Sequence, residues 1–326
     1  MRKIYYLGKP ADGFGWGIAN TNLVKHLGKH CEVVVTEPRD TFDAPVFCPI
    51  PAHDLKPPRK FDAPRKLGYC FTEWPIPDDA HRNARFWDVV FAGSWWNVSR
   101  LQKARVKRVE VLHQGIDFDL FKPQPMPEKG FVVFSGGKYE FRKGQDYVIA
   151  AMRSFMNTHP NVVLITSWHN QWPASMATME KSWLLKSIAE QWDGFDMERV
   201  IRLPLVQNSK TPEIYAKAHV GLFPNRCEAG TNLVMCEFMA CGRPVIASYA
   251  HGHVDVLNGD GPMLLNNGSY DGAGWFNPNV SDILYWLENA YANREGLAVR
   301  GEQCRKLIEP FTWDSCADRI LKAAFD

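Results

Sequence analysis

The chain has 326 residues, of which 45% are hydrophobic, 23% charged and 13% aromatic. These proportions exclude a disordered or collagen-like protein and are typical of a globular one. A single hydrophobic core stops growing at roughly 250–300 residues, so the length predicts two domains. The sequence has no run of about 18 apolar residues, and it opens on a short strand pattern rather than a signal-peptide core. We therefore expect a cytoplasmic protein without a membrane-spanning segment.

The charge is unevenly distributed. Residues 1–122 hold 19 Lys and Arg against 14 Asp and Glu, whereas the remainder holds 19 against 22. This excess is either an ordinary solvated face or a surface that meets an anionic partner, such as a membrane, phosphate or nucleic acid. The eight cysteines include no C-x-x-C pair, which favours a reducing compartment and predicts no metal site.

Short β-rich runs alternate with amphipathic stretches, an order that predicts an α/β protein with parallel sheets and helices on both faces. Predicted strands cover Ile4–Leu7, Glu32–Thr36, Leu67–Phe71, Asp88–Ala92, Glu110–Leu112, Phe131–Ser135, Val162–Ser167, Val200–Leu203, Val220–Phe223 and Pro244–Ala247. Predicted helices cover Ile18–Leu27, Gln145–Met156, Met176–Gln191, Thr231–Ala240 and Ser281–Ala292.

The segment Phe121–Gly130 contains three prolines and ends in glycine, so it can propagate neither a helix nor a strand ladder. We interpret it as a linker between two doubly wound, Rossmann-like domains, residues 1–122 and residues 130–311. Ligands of such sheets bind at the carboxyl ends of the strands, which predicts a ligand cleft between the two domains.

Three stretches carry candidate ligand-binding groups. The first contains Gly13, Gly15 and Gly17 between a strand and a helix, where backbone amides can approach an anion closely. The spacing does not match a dinucleotide-binding fingerprint, and a simple tight turn is an equally good explanation.

The second stretch follows the strand that begins at Phe131 and carries Lys138, Arg142 and Lys143 before the next helix. Cations at the carboxyl end of a parallel strand suit a phosphate, although solvated loop lysines are the simpler alternative.

The third stretch is the most informative, because two acids flank the start of an apolar helix. Glu228 precedes the helix and Glu237 lies within it, where an acid is costly unless it is paired or bound to a ligand. Thr231 or Asn232 can cap this helix, and Gly242 and Pro244 end it.

This third stretch resembles the paired-glutamate donor site of the family 4 retaining glycosyltransferases, which have the GT-B fold. The segment Leu112–Asp117 with Phe121–Pro123 resembles the linker of that family, and Gly136–Gly144 resembles its Gly-Arg…Lys-Gly loop. Residues 252–255 resemble its Gly-x-x-Glu motif. Phe311–Asp314 resembles the start of its last helix, which implies that a helix over about residues 312–326 packs back on the first domain.

The resemblance implies transfer of a sugar from a UDP- or GDP-sugar to a hydroxyl, with retention of anomeric configuration and without a cofactor or metal. The implied catalytic residues are Glu228, Lys143 and Lys138. The implied donor-binding residues are Gly15, Gly17, Arg142, Leu205, Gly230, Thr231, Asn232, Leu233 and Glu237. Eight residues separate the two glutamates where the family has seven, and either Lys138 or Gly137 occupies the position of the family's arginine.

The acceptor is the least constrained part of this interpretation. Glu73, Trp74 and Ser94 are the candidate acceptor-side residues. We expect an envelope or polysaccharide acceptor reached through the basic first domain at an anionic membrane. The alternatives are a modified base in DNA, as in phage DNA glycosyltransferases, and a GT-B protein that only binds or epimerises a nucleotide sugar.

Overall fold

The computed structural model describes residues 2–12, 14–170, 192 and 195–326. The chain divides into two compact units. Unit 1 consists of Met1–Asp117, Ala229–Leu233 and Pro310–Asp326, and unit 2 of Phe118–Glu228 and Val234–Glu309. The predicted helix over Met176–Gln191 lies outside the described residues.

Unit 1 is built on a six-stranded parallel sheet in the order β2-β1-β3-β4-β5-β6. Both faces of such a sheet are covered, so its strands are nearly continuous apolar runs. The strands are β1 (Lys3–Tyr6), β2 (Glu32–Val35), β3 (Val46–Ile50), β4 (Lys66–Cys70), β5 (Val89–Ala92) and β6 (Val109–Val111). The helices from the first part of the unit are α1 (Gly15–Leu27), α2 (Ala80–Asn83) and α3 (Trp95–Lys103).

The last described helix belongs to unit 1, although it follows the whole of unit 2 in the sequence. This helix, α10 (Trp313–Phe325), packs on α1 and β4. The Cys316 thiol donates to the carbonyl of His113 at 2.8 Å, and the Arg319 guanidinium donates to the carbonyl of Val111 at 3.0 Å. Trp313 and Ile320 are buried, so this helix supplies part of the core of unit 1.

Unit 2 has a second six-stranded parallel sheet, in the order β12-β11-β10-β7-β8-β9. Its strands are β7 (Phe131–Lys138), β8 (Val162–His169), β9 (Val200–Arg202), β10 (Val220–Phe223), β11 (Val245–Ser248) and β12 (Met263–Leu265). A separate antiparallel hairpin pairs β13 (Gly268–Tyr270) with β14 (Phe276–Pro278). Its described helices are α4 (Gln145–Thr158), α5 (Thr211–Tyr215), α6 (Leu233–Ala240), α7 (Val254–Leu257), α8 (Val280–Ala292) and α9 (Leu297–Ile308).

The order of the second sheet fixes where a ligand can bind. In this sheet β8 lies on one side of β7 and β10 lies on the other. The chain segments that follow β7 and β10 therefore leave the sheet in opposite directions. Loops at the carboxyl ends of two such strands border a crevice. The loops that follow β7 and β10 carry the predicted basic residues and the predicted glutamate.

The proline-rich segment is fastened to unit 2 by two arginines. The fully buried Arg243 donates to the carbonyls of Pro125 at 2.6 Å and Ala216 at 3.0 Å. Arg305 donates to the carbonyl of Phe121 at 3.1 Å. These bonds explain why residues 118–122, assigned to the first domain in the sequence analysis, lie with unit 2 here.

Several elements differ from the sequence-based prediction. The prediction omitted β3 and the edge strand β12, and it placed Gly15 and Gly17 in a loop, whereas both lie in the first turn of α1. Gly13 lies outside the described residues. The predicted helix from Thr231 begins at Leu233, because the preceding Asn232 has a left-handed backbone with φ of 63°.

Candidate active site

The loops after β7 and β10 are joined to each other by main-chain hydrogen bonds. The amides of Arg226 and Cys227 both donate to the carbonyl of Arg142, at 2.7 and 3.2 Å. The amide of Gly252 donates to the carbonyl of Glu228 at 2.9 Å, so the predicted 252–255 motif supports the same loop. These bonds hold the basic residues and the acid in register.

Gly144 allows the first of these loops to turn into α4. Its φ is +70°, in the region that favours glycine, and a Cβ at this position would run into the carbonyl oxygen of Pro224. The loop therefore approaches the Pro224 backbone closely at a point where no side chain fits. This close approach places Arg142 and Lys143, in the short 3₁₀ turn before it, next to the second loop.

Arg226 is a buried anchor that the sequence analysis did not identify. Its guanidinium makes a bidentate ion pair with Asp146, at 2.7 and 2.6 Å. It also lies 3.9 Å from the ring centroid of Phe141 and 4.3 Å from that of Tyr147. A planar cation held in this way fixes the base of both loops.

Glu228 lies at the centre of the site, only 5% exposed. Its Oε1 accepts from Lys143 Nζ and Asn225 Nδ2, and its Oε2 accepts from Arg142 Nη1 at 2.9 Å. The structure thus brings together three of the predicted site residues, Glu228, Lys143 and Arg142.

The protonation of this cluster follows from its charges. Burial raises the pKa of Glu228, but Lys143 and Arg142 outweigh burial and hold that pKa at about 2. Burial lowers the pKa of Lys143, and Glu228 offsets part of this change. Two cations therefore surround one buried, ionised carboxylate.

Lys138 ends β7 and extends the same network. Its Nζ lies 2.9 Å from Oε2 of Glu140, and Glu140 is also paired with Arg142. The neighbouring Gly137 has φ of +127°, a conformation that side chains rarely adopt. Lys138 presents a cation next to this glycine, and which of the two occupies the position of the family's arginine stays open.

Glu237 is held inside unit 2 by two side chains. Its Oε1 accepts from Asn208 Nδ2 at 2.9 Å, and its Oε2 accepts from the Tyr215 hydroxyl at 3.2 Å. It is 3% exposed, and burial raises the pKa of Tyr215. The acid in the apolar helix is thus stabilised by neutral hydrogen-bond donors.

The remaining predicted site residues lie on several elements. Gly230, Thr231, Asn232 and Leu233 are buried in the segment before α6, and Leu205 is 48% exposed in the loop after β9. In unit 1, α1 begins at Gly15 without a side-chain cap. These donor-side residues remain predictions.

The three acceptor-side candidates follow β4 and β5 of unit 1. Trp74 is 45% exposed, and Glu73 beside it is partly exposed. Ser94 is fully buried, where it caps α3 by accepting from the Asn97 amide and donates to the carbonyl of Ala229 at 2.8 Å. Their role at an acceptor remains a prediction.

The sequence analysis missed several residues that hold the site together, namely Asn225, Arg226, Asp146, Glu140, Asn208 and Tyr215. Asn225 and Arg226 adjoin Glu228 in the sequence, so their polar character inside an otherwise apolar stretch was the available signal. Asn208 and Tyr215 act on a residue more than 20 positions away and gave no such signal.

Comparison with known proteins shows which family these residues resemble. The family model for glycosyl transferases group 1 matches residues 129–273, a range that contains both loops, Glu228 and Glu237. This part of the chain is similar to the group 1 glycosyl transferases. The predicted family resemblance is thereby confirmed.

Curated relatives agree with this family. D-inositol 3-phosphate glycosyltransferase of Gordonia bronchialis is 26% identical over 231 residues, which cover 66% of this chain and 46% of the relative. The enzyme of the same name from Acidothermus cellulolyticus is 26% identical over 222 residues, covering 60% and 48%. The chain thus spans about half the length of these relatives.

Solved structures share the fold over nearly the whole chain. Sucrose-phosphate synthase of Thermosynechococcus elongatus superposes with a TM-score of 0.73 at 16% identity, covering 99% of this chain and 98% of that one. Anabaena HepE in complex with UDP-glucose gives a TM-score of 0.72 at 15% identity, covering 99% of both chains. The predicted GT-B fold, α/β with two Rossmann-like domains, is confirmed.

The described residues form neither a metal-binding cluster nor a helix that could cross a membrane. No group of three or more His, Cys, Asp or Glu side chains in the described ranges is arranged to hold a metal ion. Among the helices the structure describes, none combines the length and the apolar character needed to cross a bilayer. All eight cysteines are buried free thiols.

Proposed function

We propose that this chain is a retaining glycosyltransferase that moves a sugar from a nucleotide diphosphate sugar to an acceptor hydroxyl. The observation that carries the proposal is the buried Glu228 carboxylate between Lys143 and Arg142, at the carboxyl ends of β7 and β10. This is the position at which doubly wound sheets bind phosphorylated ligands. The family match over the same residues supports it.

The reaction breaks the bond between the anomeric carbon and the diphosphate, and negative charge grows on the leaving diphosphate. We assign the stabilisation of that charge to Lys143, Lys138 and Arg142, which are already held in place by Glu228 and Glu140. Because the ion pairs hold the cluster in place before the donor binds, little reorganisation accompanies the reaction. This mechanism uses no metal.

The two glutamates are assigned different parts of the donor. An ionised carboxylate offers about four lone-pair sites. Three donors approach Glu228, so a sugar hydroxyl can donate to the remaining site. Glu237, positioned by Asn208 and Tyr215, is assigned to the ribose hydroxyls.

A uridine nucleotide is the first donor to test. The solved HepE complex contains UDP-glucose, and the curated relatives are named for transfer to an inositol phosphate. A trehalose-6-phosphate synthase with a TM-score of 0.67 to this chain is described in a study of transfer with retention. These proteins support a UDP-sugar donor, a polar hydroxyl acceptor and retention here.

The experiment is incubation of the protein with UDP- and GDP-sugars, with products detected by mass spectrometry and their anomeric configuration by NMR. Lys143→Ala and Glu237→Ala should each lower turnover, by on the order of 100- to 1000-fold for Lys143. Lys306→Ala, on the exposed face of α9, is the matched control and should keep normal turnover. Near-normal rates in both site variants would contradict the proposal.

We further propose an envelope or polysaccharide acceptor. The basic excess of residues 1–122 supports an approach to an anionic surface, and Trp74 provides an exposed ring at the end of β4. Sedimentation with anionic liposomes should retain the protein at low salt. Retention by duplex DNA in a gel shift, without liposome binding, would instead support a DNA acceptor.

A further inference from the structure

We propose that unit 2 carries a second carbohydrate-binding site, on the outer edge of its sheet, that takes a neutral oligosaccharide. The site is a recess of about 370 Å³ between the edge strand β12 and the first turns of α8. It is lined by Leu264, Asn266, Asn267, Asp282, Tyr285 and Trp286. None of these residues belongs to the loops that carry Lys143 and Glu228 or to α6, which carries Glu237.

The recess presents one face of α8 to the ligand. Asp282 lies three and four positions before Tyr285 and Trp286, so all three side chains share a side of the helix. Tyr285 is 62% exposed, and its ring meets that of Trp286 at an angle of 68° with centroids 5.1 Å apart. The two rings therefore form one aromatic surface, in which Tyr285 is exposed and Trp286 is partly buried.

The walls of the recess are already fixed. The Trp286 indole donates to the carbonyl of Leu264 at 3.0 Å, which ties α8 to the edge strand. The amide of Asn279 donates to the carbonyl of Asn267 at 3.1 Å, which holds the loop after β12 against the start of the helix. Because the site is formed before binding, little of the protein has to become ordered when the ligand binds.

The chemistry of the lining selects the class of ligand. The side-chain amides of Asn266 and Asn267 can each donate and accept hydrogen bonds. The Asp282 carboxylate can accept hydrogen bonds from two neighbouring hydroxyls of a sugar. Aromatic faces suit the apolar C–H face of a sugar ring. The lining has one carboxylate, Asp282, and the Arg300 guanidinium lies 5.9 Å from the ring centroid of Trp286, so the charges at the recess balance and favour a neutral ligand. A neutral, polyhydroxylated ring satisfies all of these groups together.

Binding of an oligosaccharide at this recess does not depend on the reaction proposed above. If the acceptor is a polysaccharide, a second contact on the same polypeptide raises the effective concentration of acceptor at the enzyme. Short acceptors would not gain from it.

The test is binding of maltohexaose and cellohexaose to the whole protein, followed by saturation-transfer NMR and calorimetry. We expect at least one of them to bind with a Kd near or below about 1 mM, a weak affinity in keeping with an open site. Tyr285→Ala should weaken binding at least about ten-fold, and Asp282→Asn should weaken it less. Tyr270→Ala is the matched control, because Tyr270 is also 62% exposed in unit 2 but lies outside the recess; it should bind as the wild type does.

Two results would overturn the proposal. The first is no binding of either oligosaccharide at concentrations up to about 10 mM. The second is binding that Tyr285→Ala leaves unchanged, which would place the sugar elsewhere on the protein. Turnover of a UDP-sugar with a short acceptor, measured on the same variants, should be unaffected by Tyr285→Ala. Failure of the surface site is thereby distinguished from failure of the glycosyltransferase proposal.

Discussion

Replacing Glu228 by glutamine should destabilise the protein by an amount that depends on pH. The carboxylate is buried against Lys143 and Arg142, which hold its pKa at about 2 against an ordinary value of 4.5 in spite of the opposing effect of burial. At about 1.4 kcal/mol per pH unit, this difference corresponds to about 3 kcal/mol in the free energy of unfolding.

The sign of the pH dependence follows from the direction of the change. Because the pKa of Glu228 is lower in the folded than in the unfolded protein, the contribution is complete above pH 4.5 and is lost as the pH falls toward 2. Glu228→Gln removes it at every pH. We therefore expect the variant to be about 3 kcal/mol less stable than the wild type at pH 7, and this gap to narrow at pH 3.

Urea denaturation followed by circular dichroism at pH 7, 5 and 3 measures this gap. The control is Glu302→Gln, because that exposed carboxylate pairs with Lys306 on the surface of α9 and should contribute little. Equal free energies of unfolding for the wild type and Glu228→Gln at pH 7 would refute this assignment of stability to the Glu228 carboxylate. So would a gap of the same size at pH 7 and pH 3.

Three further predictions concern the loops, the donor and the ions. Gly144→Ala should lower Tm by several degrees in scanning calorimetry, because Gly144 has a positive φ and a Cβ there would meet the Pro224 carbonyl. Gly272 faces open space, so Gly272→Ala is the control and should leave Tm unchanged. Equal Tm values for the two variants would contradict the account of this turn. Glu237→Gln should weaken UDP binding about ten-fold in calorimetry, and unchanged affinity would remove Glu237 from the nucleotide site. Turnover should persist in EDTA, while loss of activity restored by magnesium would count against charge stabilisation by lysine and arginine alone.

The alternation of elements was predictable because buried parallel strands are continuous apolar runs. The strand β3 was missed because Pro49 interrupts it, and proline is normally confined to sheet edges. Here β3 lies between β1 and β4, with Pro49 opposite Tyr69. The edge strand β12 has three residues and follows a glycine-rich turn, so its pattern was too short to detect.

The charged residues of the site could be predicted, but their pairing could not. Lys143, Arg142 and Glu228 stood out because charges and glycines follow apolar strands there. That Glu228 binds both cations depends on the joining of two loops about 85 residues apart. The donors to Glu237 likewise come from Asn208 and Tyr215, whose positions are set by tertiary packing.

The placement of α10 in unit 1 has a consequence for how the protein is made. Residues 1–117 emerge from the ribosome first, yet Trp313 and Ile320, which complete their core, are synthesised only after all of unit 2. At about 5–20 residues per second, the roughly 200 residues in between take about 10–40 s to translate. Throughout that interval the apolar surface that α10 later covers lacks its covering helix on the nascent chain.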